Sequence, residues 1–552
     1  MRSPDRPDIE LFDQAPYFHV KRLGDSTIAS GLTTCLLGHK ISRGANATPD
    51  GVFAEWSWDG QRLVLENDRF GMLPLYYFAS DGEFCVSTSV FKLLCEGASR
   101  ALDWPALAVF LRAGYYVGDD TCFEAIRSVP PGARLEWTGG QLSVSGAYHF
   151  AAPQRVSRQS AIESYVLLFR AAMERRLPEH DDFAVPLSGG RDSRHILLEL
   201  CERRRPPRYC ISGRRYPPAT GEDERIAALV ADAVGVKHVV VGPPEGEIRS
   251  LLTTNIVTNM TAWRRGWKLS IAQYERNTVT SSYDGIGGDV LSGGSSLDRR
   301  RVDLIEAGRL EDYCRYELRG SDRLLQAIVP KRQYRLISDE VALARLEVEL
   351  KRHLPAANPV VSFNLWNRTR RFDSSSPYGV SAGIGTVYSP FLDHDLCDFL
   401  IGLPAEMTLD RRLHDDAIRA AYPKYADIPY EARIPEAARA RDRRHDLRNI
   451  RDLTAYILRA RPRRLTNPSF VLPRLAAGLA SFGSVWPGSW FVHAVLYLAQ
   501  LEAFAYSTSQ ADAGRSPAHQ PSPHSLDRDD PDARSSSAAS EAARSRRDAR
   551  AT

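Results

Sequence analysis

The sequence predicts a mixed protein of two domains, an antiparallel β-rich domain with helices followed by a parallel-sheet α/β domain, and a disordered C-terminal tail. Three observations support this fold class. Short alternating apolar runs separated by turns fill residues 15–150, helices alternate with brief apolar strands after residue 150, and large apolar residues almost disappear after Leu526. At 552 residues the chain is too long for one ordinary core. We place the domains at residues 1–150 and 151–506 and the tail at residues 507–552.

Two Asp-Gly pairs mark hairpins in the first domain. Asp59-Gly60 separates two alternating apolar runs, and Asp81-Gly82 separates another two. Asp-Gly favours the tight turns that join antiparallel strands, because these turns need positive φ at their centre. The first domain is therefore expected to contain antiparallel sheets.

The second domain shows a regular alternation of strand and helix patterns. The predicted elements are a helix over Ser160–Arg176, a strand over Phe183–Leu187, a helix over Ser193–Arg204, a strand over Tyr209–Ser212, a helix over Asp223–Val234 and a strand over His238–Val241. This order is typical of a parallel sheet covered by helices. Open sheets of this kind bind ligands at the carboxyl ends of their strands.

A phosphate-binding loop follows the first of these strands, with the sequence Ser-Gly-Gly-Arg-Asp-Ser over residues 188–193. Gly189 and Gly190 lack Cβ, so their N–H groups can approach an anion, and the next helix directs its positive end to the same place. Asp192 beside a phosphate indicates a bridging divalent cation, most simply magnesium held by oxygen ligands. No Gly-Lys-Ser/Thr follows the glycines, so the loop is not of the Walker type.

A second glycine-rich loop surrounds Asp289, within residues 282–294. So many glycines around one aspartate suggest backbone packed against a ligand, with the carboxylate directed into the site. Asp289 is therefore a candidate second carboxylate for the metal.

Five segments together carry a family resemblance. Residues 188–193, 284–290 and 389–393 resemble the Ser-Gly-Gly-x-Asp-Ser, Ser-Gly-Glu-Gly-x-Asp-Glu and Pro-Phe-Leu-Asp motifs of the asparagine synthetase superfamily, in the same order. In the first domain, residues 67–77 resemble the Asp-Arg-x-Gly-x-x-Pro-Leu-Tyr-Tyr motif of that superfamily, and residues 121–132 resemble the segment that leads out of its amidotransferase domain. The likeness spans most of the chain.

The resemblance implies an amidotransferase-like antiparallel β sandwich with helices, then an ATP-pyrophosphatase-type parallel-sheet synthetase domain. It also implies an ATP-dependent, AMP-forming carboxylate–amine ligase that uses ATP and Mg²⁺. Asp192 and Asp289 would be the catalytic residues and would bind the metal. The remaining implied nucleotide contacts are Leu187, Ser188, Gly189, Gly190, Ser193, Ile211, Ser212, Gly213, Gly285, Ile286, Gly287 and Gly288.

The sequence departs from the glutamine-dependent members of that superfamily. Those enzymes use a cysteine exposed as the first residue, whereas this sequence begins Met-Arg-Ser. We therefore expect a degenerate first domain that serves as a scaffold without glutaminase activity, and a structural role for Cys35. Ile286 and Thr386 stand where asparagine-forming enzymes have Glu, and Asp415 stands where they have Lys.

These departures favour a branch in which the amine comes from the substrate itself. The preferred hypothesis is a macrolactam cyclase of lasso peptide biosynthesis. An asparagine synthetase-like small-molecule amide or β-lactam synthetase is the alternative, and a non-catalytic nucleotide-binding partner subunit is an alternative of another class. Candidates for a cation that replaces the absent Lys are Arg368, Arg370, Arg371 and Lys424.

Composition limits the partners. Eight scattered cysteines without a Cys-x-x-Cys pair predict reduced thiols in a cytoplasmic protein, and a net charge of +4 gives no reason to expect nucleic acid or membrane as partner.

The apolar stretch at residues 489–506 is expected to be a buried helix, and the Arg-rich run at residues 433–464 a solvated helical face. His195 is expected to pack locally. The expected partners are a small-molecule or peptide carboxylate substrate and a precursor-processing enzyme.

Overall fold

Two five-stranded antiparallel sheets make up most of the first 150 residues of the computed structural model, which describes residues 14–44, 47–318, 322–432, 441–482 and 488–506. The strand orders are β2-β1-β7-β6-β8 and β10-β9-β5-β4-β3. The strands are β1 Tyr17–Leu23, β2 Ser26–Gly31, β3 Thr34–Ile41, β4 Asp50–Trp58, β5 Arg62–Asn67, β6 Tyr76–Ser80, β7 Glu83–Ser87, β8 Arg127–Ser128, β9 Arg134–Thr138 and β10 Gln141–Ser145.

Side chains from both sheets share one apolar core, which makes the pair a sandwich. Phe18 and Phe84 come from the first sheet, and Trp56 and Trp137 come from the second. The predicted Asp-Gly turns join β4 to β5 and β6 to β7. The antiparallel character predicted for this part of the chain is confirmed. Two helices, Val90–Cys95 and Trp104–Ala113, also belong to it.

A five-stranded parallel sheet lies in the second part of the chain, as predicted. Its strands are β11 Phe183–Pro186, β12 Tyr209–Gly213, β13 His238–Val241, β14 Ser281–Tyr283 and β15 Thr386–Tyr388, in the order β13-β12-β11-β14-β15. Every neighbouring pair is parallel. Because β11 and β14 are neighbours, the loops that follow them leave the sheet at the same edge.

Helices make up most of the rest of this part of the chain. The described α-helices after residue 150 are Arg158–Glu174, Asp192–Glu202, Glu222–Val234, Glu247–Val257, Lys268–Arg276, Arg299–Glu306, Leu310–Glu317, Asp322–Ile328, Lys331–Tyr334, Asp339–Lys351, Pro359–Asn364, His394–Ile401, Glu406–Leu409, Leu413–Ala421, Arg443–Ala460, Pro468–Ala480 and Ser489–Tyr506. Three π-helical turns cover Asp289–Gly293, Leu365–Thr369 and Ser376–Val380.

A buried charge network joins the first sheets to the parallel-sheet region. Arg176 donates to Asp50 over 2.6 Å and to Asp393 over 2.7 Å, and all three side chains are buried. Arg175 donates twice to Asp393, through Nε at 2.8 Å and Nη2 at 2.7 Å. These contacts hold the Pro-Phe-Leu-Asp segment against the first part of the chain.

The helix Ser489–Tyr506 is buried, as predicted. Its Tyr497 hydroxyl lies 2.5 Å from that of Tyr116, and its ring packs on Phe110 with centroids 4.6 Å apart. In the part of the chain that the structure describes, no helix combines the length and apolar character needed to cross a membrane. The predicted tail at residues 507–552 lies outside the described residues, as do residues 433–440 of the Arg-rich run.

Candidate active site

The phosphate-binding loop connects β11 to the helix Asp192–Glu202, as the sequence predicts. Serine side chains hold its shape: the Ser188 N–H donates to Ser193 Oγ over 3.1 Å, and the Gly190 N–H donates to Ser188 Oγ over 3.2 Å. The two hydroxyl oxygens are 3.2 Å apart. The loop is therefore preorganised at the N-terminus of a helix, where an anion is favoured.

A carboxylate contacts the loop where the sequence predicts an anion. The Gly189 N–H donates to Asp223 Oδ1 over 2.7 Å. Asp223 lies in the first turn of the helix Glu222–Val234, which places it beside the loop from a neighbouring element. The Gly189 N–H is thus paired with a carboxylate of the chain itself, and a phosphate at this amide would have to displace Asp223. No sequence motif marks Asp223, because its contact joins the loop to a helix that begins 33 residues after Gly189.

The second glycine-rich loop packs directly on the first. A Cβ built at Gly285 would lie 2.5 Å from Asp192 Cβ, and one built at Gly288 would lie 2.7 Å from Asp192 Cγ. Only glycine fits at either place. The Asp289 N–H donates to Asp192 Oδ2 over 3.1 Å. The structure therefore brings together the two aspartates that the sequence analysis paired as metal ligands.

Three carboxylates accumulate at this junction. Burial and the charges of Asp289 and Asp284 raise the pKa of Asp192 well above its ordinary value. Burial also raises the pKa of Asp284, while Lys268 opposes the shift. A bound cation would relieve this repulsion. Among the residues described, no group of three or more His, Cys, Asp or Glu side chains is placed to hold a metal ion. Mg²⁺ at Asp192 and Asp289 would need its other ligands from phosphate and water, and this metal site stays a prediction.

Lys268 is a charged residue of this region that the sequence analysis missed. Its Nζ donates to Ser376 Oγ over 2.6 Å. Burial and the charge of Arg265 lower its pKa to about 8, and Asp284 opposes that change. Lys268 begins a helix without a recognisable motif, so only tertiary packing reveals its proximity to the glycine-rich loop.

Two buried histidines follow one another next to Asp192: His414 lies beside Asp192, and His195 lies beside His414. His414 Nδ1 is 3.4 Å from Asp192 Oδ1, and His414 Nε2 is 3.2 Å from His195 Nδ1. Burial lowers the pKa of His414 to about 3 and that of His195 far below its ordinary value. His195 stacks on Phe169 with ring centroids 3.6 Å apart, which confirms the predicted packing role.

The residues predicted to border the nucleoside lie at the ends of β11 and β12. The Leu187 N–H donates to the Ile211 carbonyl over 2.8 Å, and Ser212 Oγ donates to the Leu187 carbonyl over 2.6 Å. A Cβ at Gly213 would lie 3.1 Å from Trp267 Cε3. The Leu187 N–H and the Leu187 and Ile211 carbonyls are thus paired within the chain, and Trp267 beside Gly213 is a neighbour that the sequence analysis did not include.

Ile286 directs its side chain into the apolar core. Its side chain is 7% exposed and belongs to the apolar core, while its N–H donates to Asp284 Oδ1 over 2.8 Å. Gly287 next to it adopts a φ of +96°, a conformation that favours glycine. At position 286 only the backbone remains for contact with a nucleotide.

The candidate replacement cations occupy different places. Arg370 and Arg371 donate to the Gly118 carbonyl over 3.2 and 2.6 Å and are buried, so they connect the two parts of the chain. Lys424 lies over the ring of Tyr425 on the surface. Arg368 forms an ion pair with Asp373 over 3.2 Å, and the charge of Asp373, with a smaller contribution from Asp289, raises its pKa.

Comparison with known proteins identifies part of the chain. Residues 35–149 match the glutamine amidotransferase domain family. This match fits an asparagine synthetase-like protein, and the first part of the chain is amidotransferase-like. The search of curated proteins finds no match. Cys35 lies within β3, opposite Trp56 of β4, and burial raises the pKa of its thiol.

Two solved structures share limited similarity with the chain. One is the allosteric regulatory enzyme of purine biosynthesis, with 11% identity and a TM-score of 0.14, over 36% of this chain and 48% of that one. The other is glutamine phosphoribosylpyrophosphate amidotransferase from B. subtilis complexed with ADP and GMP, with 12% identity and a TM-score of 0.15, over 44% of this chain and 60% of that one. The chain thus spans less than two thirds of either protein.

Proposed function

We propose that the protein is an ATP-dependent, AMP-forming ligase that joins a carboxylate to an amine. The observation that supports this most directly is the meeting of Asp192 and Asp289 at the carboxyl ends of neighbouring parallel strands, beside a serine- and glycine-rich loop at a helix N-terminus. That arrangement suits a metal-bound polyphosphate. Mg²⁺ held by the two aspartates would neutralise phosphate charge.

The reaction that suits this site has two steps. A carboxylate oxygen of the substrate attacks the α-phosphorus of ATP, and the bond from that phosphorus to the pyrophosphate oxygen breaks. An amine nitrogen then attacks the acyl carbon, the bond from that carbon to the AMP oxygen breaks, and the amine proton leaves to a base. In the first step the N-terminus of the helix Asp192–Glu202 would stabilise charge that develops on the departing pyrophosphate.

We propose further that the amine belongs to the same substrate molecule, as in macrolactam formation on a lasso-type peptide. Three charged side chains expected in asparagine-forming enzymes are replaced in this sequence, at positions 286, 386 and 415. Ile286 turns its apolar side chain into the core, and Asp415 forms an ion pair with Arg191. On this proposal Cys35, which lies inside strand β3, supplies no ammonia from glutamine. A peptide with a free amino terminus and a side-chain carboxylate supplies both reactants.

A product assay tests this proposal. The full chain is incubated with Mg·ATP and peptides that carry a free amino terminus and an internal Asp or Glu, and in parallel with aspartate plus glutamine or ammonia. The proposal predicts a peptide lighter by one water, with AMP and pyrophosphate formed in equal amounts. Asparagine as product would instead assign a small-molecule synthetase. ATP binding without turnover of any acid would favour a nucleotide-binding partner subunit.

A matched pair of peptides sharpens the assay. The first peptide has its amino terminus acetylated, which removes the nucleophile but keeps the carboxylate. The second has Asn or Gln in place of the acid, which removes the carboxylate but keeps the nucleophile. The proposal predicts no cyclised product from either, and acyl-adenylate formation only from the acetylated one. Equal consumption of ATP with both peptides would contradict carboxylate activation.

A further inference from the structure

An ion pair joins the phosphate-binding loop to the helix Leu413–Ala421. Nε and Nη2 of Arg191 donate to the two carboxylate oxygens of Asp415, the Nη2 bond over 2.9 Å, although 224 residues separate the two in sequence. Such a bidentate contact fixes the plane of the guanidinium as well as its position. Asp415 lies in the first turn of its helix, where a carboxylate is also favoured by the helix dipole.

The ring of Tyr430 supports the guanidinium from another direction. Arg191 Cζ lies 4.6 Å from the centroid of that ring, and Arg194 Cζ lies 4.0 Å from it. The Arg191 side chain is 32% exposed, and its Nη1 makes no hydrogen bond within the part of the chain that the structure describes. Asp415 and Tyr430 hold the guanidinium in place, and its Nη1 keeps N–H donors available for a ligand.

The charge of Arg191 acts on the same carboxylates that surround the loop. Hydrogen bonds from Arg191 to Asp415 raise the pKa of Arg191, and the charge of Asp289 adds to that effect. The charge of Arg191 in turn acts to lower the pKa of Asp192 against the effect of burial. Arg191 therefore lies within electrostatic range of both aspartates proposed to hold the metal.

We propose that Arg191 binds the β- and γ-phosphates of ATP through Nη1, and that Asp415 is its positioning residue. This assignment rests on the proposed function, because it needs ATP at the loop. It also explains the acidic residue on the helix Leu413–Ala421: the cation reaches the phosphates from the loop itself, and the helix supplies its anionic partner. Charge on the departing pyrophosphate is then stabilised by a preorganised guanidinium.

Binding measurements on the full chain test the assignment without an acyl substrate. Isothermal titration calorimetry is performed with Mg·ATP, Mg·pyrophosphate and AMP as probes. Arg191→Leu should weaken Mg·ATP and Mg·pyrophosphate by about 10- to 100-fold, since a hydrogen bond to a charged group is lost. AMP, which lacks β- and γ-phosphates, should bind as before. The control is Arg419→Leu, which removes the same charge from an exposed position on the helix of Asp415.

Variants that remove or relocate the positive charge of Arg191 distinguish phosphate binding by this residue from a purely structural role. Asp415→Asn should weaken Mg·ATP less than Arg191→Leu does, because the guanidinium remains but is no longer held in place. The double variant Arg191→Leu with Asp415→Lys places a cation on the helix and should recover part of the lost Mg·ATP affinity. If Arg191→Leu does not fold, Arg191→Lys is measured instead. It keeps the positive charge but loses the bidentate geometry of the guanidinium, and it should bind Mg·ATP with intermediate affinity.

Three results would overturn the assignment of Arg191. They are unchanged Mg·ATP affinity in Arg191→Leu, equal losses for Mg·ATP and AMP, and a double variant no better than the single one. In each case the wild-type chain would still bind Mg·ATP, so the proposed function would stand. A wild-type chain that binds neither Mg·ATP nor AMP would contradict the proposed function, and the role of Arg191 with it.

Discussion

A methyl group at position 285 tests how closely the two loops pack. The Cβ added by Gly285→Ala would lie 2.5 Å from Asp192 Cβ, and its next neighbours are backbone atoms at 3.3 and 3.4 Å. Carbon atoms in contact are about 3.5–4.0 Å apart, so the loops must separate by about 1 Å. Overpacking of this kind costs about 1–3 kcal/mol of folding free energy. A displacement of about 1 Å at reacting groups costs about 100-fold in rate.

Gly285→Ala should therefore lower ATP–pyrophosphate exchange by about 100-fold while the protein stays folded. Mg·ATP affinity, measured by calorimetry, should fall in parallel because Asp192 is displaced. The matched control is Gly242→Ala, since a Cβ at Gly242 meets no atom within 4 Å. Normal exchange in Gly285→Ala, or equal losses in both variants, would refute the view that contact between the loops builds the site.

Two further predictions concern stability. Burial raises the pKa of Glu275 to about 7 and the side chain is 1% exposed, so its ionisation destabilises the folded state by about 3 kcal/mol as pH rises from about 4.5 through 7. In urea unfolding, Glu275→Gln should therefore gain about that much stability over wild type between pH 5 and pH 8; a constant difference would contradict the prediction. Arg176→Met should lose about 3–5 kcal/mol, because it leaves Asp50 and Asp393 buried without their shared partner. The exposed control Arg225→Met should change stability by less than about 1 kcal/mol, and equal effects would contradict the buried network.

Local sequence patterns were enough to predict the secondary structure around the site. Asp-Gly pairs indicate hairpins because few other residues tolerate positive φ, and the strand–loop–helix pattern identifies the phosphate-binding loop. The pairing of Asp192 with Asp289 was predicted from the two glycine-rich loops and the family resemblance. The strand β14 before the second loop and its place beside β11 were not predicted, and the structure supplies them.

The side-chain partners of the loops were not accessible in this way. Asp223 reaches the Gly189 amide from another helix, and Asp415 reaches Arg191 across 224 residues. Lys268 begins a helix and Trp267 precedes it, and no sequence motif marks either residue. Each of these contacts depends on how two elements pack in three dimensions, and hydrophobic periodicity records only which face of an element is buried. The absence of the family's Lys at position 415 is visible in the sequence. That Asp415 instead pairs with Arg191 of the loop is visible only in the structure.

ATP–pyrophosphate exchange is the measurement that tests the central claim most directly. Wild-type protein and Asp192→Ala are assayed with Mg·ATP, labelled pyrophosphate and peptides carrying a free amino terminus and a side-chain carboxylate. The account predicts label in ATP that requires both peptide and Mg²⁺, and none with Asp192→Ala. Exchange that persists in Asp192→Ala, or its absence with every carboxylate while wild type binds Mg·ATP, would contradict carboxylate adenylation at these loops.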